Sequence, residues 1–420
     1  MTTAEASGDA LRARVTPLGP GRALFLAPYR PFFLCGAIDA VLTIGLWFLW
    51  IESVRRGAPP SLAWSLPPAS AHAILMVWGV LSFFVFGFLL TAYVRWTHAR
   101  EPSIRAVLGW LACLIGGQIL FVFGALGHPA WIVHGGVLLE TALLTLLLFL
   151  GGALHRSSIP DRLQPRMVLV ALAGGAVGIG LVTVGLGRAS ASLYQGGLAI
   201  GLNTYLLLLV VSVAHRMVPF FTARAQGKSS GSRRGAALPM LAGFLVLRAV
   251  AGWPGLRERV PWAPPLVDSA LLATLLWDLS VWRPGRTLRN PMIAVLYLGE
   301  LWLLAGLALS ALGGWVSHEI ASTHPAVRHA LLTGAVTTLV VGISARVTLG
   351  HSGCPIRADA AILGIFGLVQ LAALIRAGSP LLAPYFPDLA GLAHWAALPW
   401  CLAFALWLWR LGPLLFRREP

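Results

Sequence analysis

Residues 129–153 read PAWIVHGGVLLETALLTLLLFLGGA. A helix that crosses the hydrocarbon core of a bilayer needs about 20 mostly apolar residues. This stretch supplies them, with Glu140 as its one acid. Working outward, comparable blocks occupy residues 31–51, 70–94, 104–125, 167–187 and 193–214. A second set occupies residues 236–251, 261–281, 291–313, 325–347, 359–377 and 390–411, and the short seventh block is interrupted by Arg248. The sequence therefore predicts an all-α polytopic membrane protein with about twelve transmembrane helices. Residues 1–30 would form an N-terminal segment, 31–411 the membrane domain and 412–420 a C-terminal tail.

The whole-chain composition agrees. Of 420 residues, 57% are hydrophobic and 11% charged, and the mean hydropathy is +0.79. A soluble domain is about 45–50% apolar and about 25% charged, which excludes a soluble enzyme or a disordered binding protein. The formal charge of +16 would suggest nucleic acid in a soluble chain. Here the basic residues read as topology signals. If twelve spans alternate, the termini and the loops on their side carry 23 basic residues and the opposite loops 7. The positive-inside rule then places both termini in the cytoplasm, and the charge needs no nucleic-acid partner.

Cys35, Cys113, Cys354 and Cys401 are scattered and form no CxxC; the three inside apolar blocks read as small buried hydrophobes, and Cys354, beside a polar motif, is the exception. The absence of CxxCH, of a Walker motif and of GxGxxG between strand and helix gives no support to covalent haem, ATP or nicotinamide chemistry. Gly174 with Gly178, and Gly197 with Gly201, have the small-xxx-small spacing that lets membrane helices approach closely.

Ionisable groups inside the apolar blocks carry the functional signal, because a charge in hydrocarbon needs a partner. Asp39, Glu140, Arg248 and Glu300 lie near mid-membrane. They read either as a proton or ion path or as an ion pair fixing helix packing, such as Arg248 with Glu300 or Glu140. Histidines divide by depth: His98, His155, His215 and His351 fall at cytoplasmic ends, and the other seven, His318 among them, at or near the outer ends. His72, His134, His329 and His394 come early in the second, fourth, tenth and twelfth blocks, which brings four imidazoles to similar depth. Imidazole is a common metal ligand and a usual axial ligand of haem, and bundles hold cofactors between facing helices. His329 and His351 are 22 residues apart, about 33 Å along a helix, so His351 must serve a separate role.

Four segments resemble the NnrS family of bacterial membrane proteins. Residues 328–356, RHALLTGAVTTLVVGISARVTLGHSGCPI, are similar to the family's RHALTxGAIGTMTLGxMxRVTLGHTGRPL. Residues 29–34, YRPFFL, resemble its N-terminal FRPFFL. GFLLTA and the following WT in residues 72–97 match the end of its HAHE-containing helix, and residues 216–222, RMVPFFT, resemble its GRVIPxFT turn. The resemblance implies a twelve-span inner-membrane protein containing haem and copper, linked to the nitric oxide response and denitrification, with nitric oxide as ligand and a membrane electron donor. His72 matches the first histidine of HAHE, but Ile74 and Leu75 replace its second histidine and its glutamate. His329 and His351 match the histidines of the tenth-span motif, and Cys354 replaces its arginine. The expected site is haem b held by His72 and His329, with copper, if retained, drawing on His134, His324 or His394. The rival readings are a proton-coupled secondary transporter and a non-catalytic haem- or metal-binding protein.

Overall fold

The protein was described from a computed structural model covering residues 23–57, 64–316 and 324–417, without the side chains of 388–390. Most of the expected N-terminal segment, and His318, lie outside the described residues. Each of the twelve apolar blocks is a helix. In chain order these are α1 (Tyr29–Arg55), α2 (Pro68–Trp96), α3 (Ile104–Ala125), α4 (Ala130–His155), α5 (Leu163–Gly187) and α6 (Ala191–Ala225). They continue with α7 (Ala237–Ala251), α8 (Ala263–Leu279), α9 (Pro291–Val316), α10 (Pro325–His351), α11 (Ala360–Leu382) and α12 (Gly391–Phe416). No strand occurs among the described residues.

Ten of these helices are long and apolar enough to cross a membrane; α7 and α8 are the exceptions. At 15 and 17 residues, α7 and α8 rise only about 22 and 25 Å. Both carry buried charge, Arg248 on α7 and Asp268 and Asp278 on α8. Their length is what separates them from the ten longer helices.

Burial sorts the helices into two shells. The most apolar windows of α2, α6 and α10 are 89, 83 and 67% buried, and those of the other long helices are at most half buried. These three inner helices also carry the π-helical segments. They lie at Leu75–Val80 and Leu89–Tyr93 in α2, Gly201–Leu207 in α6 and Ala330–Val336 in α10. A π turn adds a residue to the repeat, re-aims the side chains beyond it, and is common at functional sites. Ser82 of α2 and Tyr205 of α6 hydrogen-bond at 2.8 Å between their inner faces.

The small-residue spacing does what it predicts. Gly178 of α5 and Gly197 of α6 face each other so closely that a Cβ on either would lie 3.0 or 2.7 Å from the other's carbonyl oxygen. Arg30, from the YRPFFL segment, is fully buried. It donates to Ala23 O at 2.8 Å and to Arg417 O at 2.6 Å, tying the start of α1 to the end of α12. The segment expected as a tail is therefore partly packed structure: α12 runs to Phe416, and Leu414 and Leu415 are buried.

Candidate functional site

A cavity of about 270 Å³ opens among α1, α2, α6, α10, α11 and α12 at the end of the bundle where the even-numbered helices begin. His72 from the first turns of α2, His329 from α10 and His394 from α12 line it, with Trp47, Arg328 and Arg376. Depth grouped His134 with these three, and the cavity takes in only His72, His329 and His394.

His329 stands one residue before the π segment of α10, and His72 three residues before that of α2. Pro325 occupies the first turn of α10, where its missing N–H costs nothing. Its carbonyl accepts a 2.6 Å hydrogen bond from His329 Nδ1. That bond fixes the proton on Nδ1 and leaves the Nε2 lone pair for a ligand, the usual arrangement of a coordinating histidine. The His72 ring lies flat on Trp47, with centroids 4.8 Å apart and planes at 17°. Its Nδ1 is buried with no hydrogen-bond partner. Arg328 and Arg376 face the same space, and neither has an acidic partner among the described residues.

The other candidate ligands are engaged elsewhere. His394 is stacked on Phe48, and its Nδ1 lies 3.3 Å from Arg55 Nη1 and its Nε2 3.4 Å from Glu52 Oε2. Its lone pair therefore faces a guanidinium. His324 caps α10, its Nδ1 accepting from Ala326 N at 3.2 Å, and burial lowers its pKa from the ordinary value so that it stays neutral. His134 bonds Ala130 O at 2.9 Å and is exposed on the outer face of α4, away from the cavity. Depth was legible for His134, but which way the helix turns it was not. His351 sits at the opposite end of α10, 3.3 Å from Arg95 and 5.2 Å from the Tyr29 ring. Among the described residues, no three His, Cys, Asp or Glu side chains gather as a metal-ion site.

The mid-membrane charges do not form one cluster. Arg248 pairs with neither Glu300 nor Glu140; its Nε donates to Asp268 Oδ1 at 2.5 Å and its Nη1 to Asn203 Oδ1 at 2.5 Å. Ser310 completes the network by donating to Asp268 Oδ2 and accepting from Arg248 Nη2 at 3.4 Å. Arg248 and Asp268 are 5 and 1% exposed, so this pair locks α6, α7, α8 and α9 together. The acid in block 261–281 was visible in the sequence; its partnership was not. Asp39 accepts from Thr43 at 2.9 Å, Glu140 packs over Gly180, and Glu300 is buried with Oε1 unbonded. A second buried group, missed by depth sorting, pairs His215 with Asp278 at 3.7 Å, with His215 Nε2 donating to Arg234 O at 3.1 Å.

An all-helical bundle of this kind, with ten apolar spans and a histidine-lined cavity between its inner helices, defines a multi-pass helical membrane protein. The chain belongs to the NnrS family: the family model described as NnrS protein matches residues 23–418. No curated protein matches the chain.

Proposed function

We propose that this protein is a haem-binding, NnrS-like protein of the bacterial inner membrane, acting in the nitric oxide or nitrosative-stress response or in denitrification through redox chemistry on a nitrogen oxide. In this reading the chain crosses the membrane twelve times, with α7 and α8 as short spans and both termini cytoplasmic. His72 and His329 hold haem b from opposite helices. The observation that carries the reading is that these two motif-matched histidines line one cavity, His329 with its Nδ1 proton held by Pro325 and His72 with a buried Nδ1 that bonds nothing.

The residues fit the group. The cavity wall is mostly apolar, Trp47 fixes the plane of His72, and Pro325 fixes the tautomer of His329. Arg328 and Arg376 bring positive charge that carboxylates of a haem would neutralise. Haem held there would supply one-electron redox chemistry and a binding place for a diatomic molecule. Bulky neighbours such as Trp400, Leu81 and Met76 keep water out of the apolar side of the cavity. Copper fits less well: Ile74 and Leu75 stand where the family pattern has His and Glu, and no three-ligand cluster occurs among the described residues.

The test is an anaerobic assay of purified, reduced, haem-replete protein with nitric oxide. Consumption of nitric oxide, or a stoichiometric spectral change, supports the reading, the latter in its non-catalytic form. Neither response in a red protein removes nitric oxide as the ligand. Colourless, metal-free protein with substrate-dependent proton movement would favour transport, a reading that the buried Glu300, with its Oε1 unbonded, favours.

A further inference from the structure

A smaller cavity of about 40 Å³ lies among the three inner helices α2, α6 and α10, with Phe33 of α1 at its side. Every residue that lines it is buried except Val340, which is half-buried. Ser344 is the one polar residue in the lining, and its hydroxyl donates to Val341 O at 3.2 Å. A buried water needs about 10–15 Å³ of such space and about two to four polar partners. This cavity has the space and lacks the partners, so it favours an apolar occupant over water. An apolar cavity of about 150 Å³ takes up benzene or xenon. At about 40 Å³ this one excludes a ring and admits a molecule of two or three heavy atoms.

Protein interiors are close-packed, and voids larger than a water are few. This one has a cause in the backbone. Leu81 directly follows the π segment Leu75–Val80 of α2, and Phe88 directly precedes the segment Leu89–Tyr93. Leu206 belongs to the π segment of α6, and Val336 closes that of α10. All four line the cavity. A π turn shifts the register of the side chains beyond it, so the ridges of three such helices do not interlock where they meet.

The small cavity also stands in series with the histidine cavity. Leu81 lines both. On α6, Leu202 lines the histidine cavity and Leu206, one turn on, lines the small one. On α10, Thr337 and Val340 repeat that order. The same three helices therefore carry one space into the next, with the Leu81 side chain at the boundary.

We propose that the small cavity is a docking site for an apolar diatomic gas, which passes Leu81 to reach the histidine cavity. A neutral gas dissolves in hydrocarbon and needs no polar route. A dry pocket one side chain from the histidines raises its local concentration there. As a gas site this stands on the cavity alone. As a delivery route to a cofactor it rests on the haem reading above.

The experiment uses full-length protein in two measurements. Crystals pressurised with xenon should show a xenon peak between Leu81, Leu206 and Val340. That peak should disappear in Val340→Phe, which fills the space, and weaken in the milder Val210→Leu. Wild-type crystals with no xenon there would overturn the gas site. Flash photolysis of carbon monoxide from the reduced red protein reads the delivery step. Rebinding from solution should slow at least threefold in Val340→Phe and by less in Val210→Leu. Wild-type rebinding in both variants would overturn the route. Colourless protein that still binds xenon defeats the haem reading alone, and red protein that binds none defeats the gas site alone.

Discussion

His329 Nδ1 donates to the carbonyl of Pro325, 2.6 Å away and one helical turn earlier. The residue that starts α10 thus also sets the protonation state of the imidazole that α10 delivers to the cavity. His72, across the cavity, has a buried Nδ1 with no such partner. A buried polar atom left unsatisfied costs about 1–3 kcal/mol. In haem-depleted protein, His72→Phe should therefore be neutral or stabilising by about 1 kcal/mol, whereas in haem-loaded protein it should be destabilising. Thermal unfolding of both forms in one detergent checks the reversal of sign.

The Arg248–Asp268 pair predicts a large effect far from the histidines. Removing one partner strands a buried charge, so Asp268→Leu or Arg248→Met should cost about 3–5 kcal/mol, and the double change Arg248→Met with Asp268→Leu should recover much of it. A double-mutant cycle on unfolding midpoints measures the coupling. Additive losses would mean that the two side chains act independently.

Close approach of α5 and α6 gives a third expectation. A methyl at Gly197 would press within 2.7 Å of the Gly178 carbonyl oxygen, and overpacking of this kind costs about 1–3 kcal/mol. Gly197→Ala should lower the unfolding temperature, whereas Gly243→Ala on α7, where a Cβ meets nothing within 4 Å, should not.

Acid should loosen the start of α10. Burial holds the folded-state pKa of His324 below its ordinary value, and its Nδ1 must stay unprotonated to accept from Ala326 N. The unfolded chain takes up a proton first. The cap's contribution is therefore intact above about pH 6.5 and declines as pH falls from there toward the folded-state pKa. Amide exchange near 324–330 should quicken between pH 7.5 and 5 in wild type. In His324→Asn, which caps without titrating, that acceleration should disappear.

Much of this was readable in the sequence, because hydrocarbon imposes strong rules. All twelve blocks became helices, and depth sorting brought His72, His329 and His394 to one cavity. Rotation about each helix axis was not readable. His134 has the right depth and the wrong face, since neighbours in the bundle, rather than position along the chain, decide which face turns inward. The π segments after His72 and His329 also lack a sequence signature; they arise where the inner helices pack, and they shift the register on which simple helical periodicity depends. The pairing of Arg248 with Asp268 instead of Glu300 or Glu140 has the same origin.

Optical spectra and iron content of purified wild type, His72→Ala, His329→Ala and His134→Ala test the central claim most directly. The account predicts a haem Soret and α-band spectrum in wild type and in His134→Ala, and its loss or marked shift, with loss of iron, in both His72→Ala and His329→Ala. Wild-type spectra and iron content in both of those variants would contradict it.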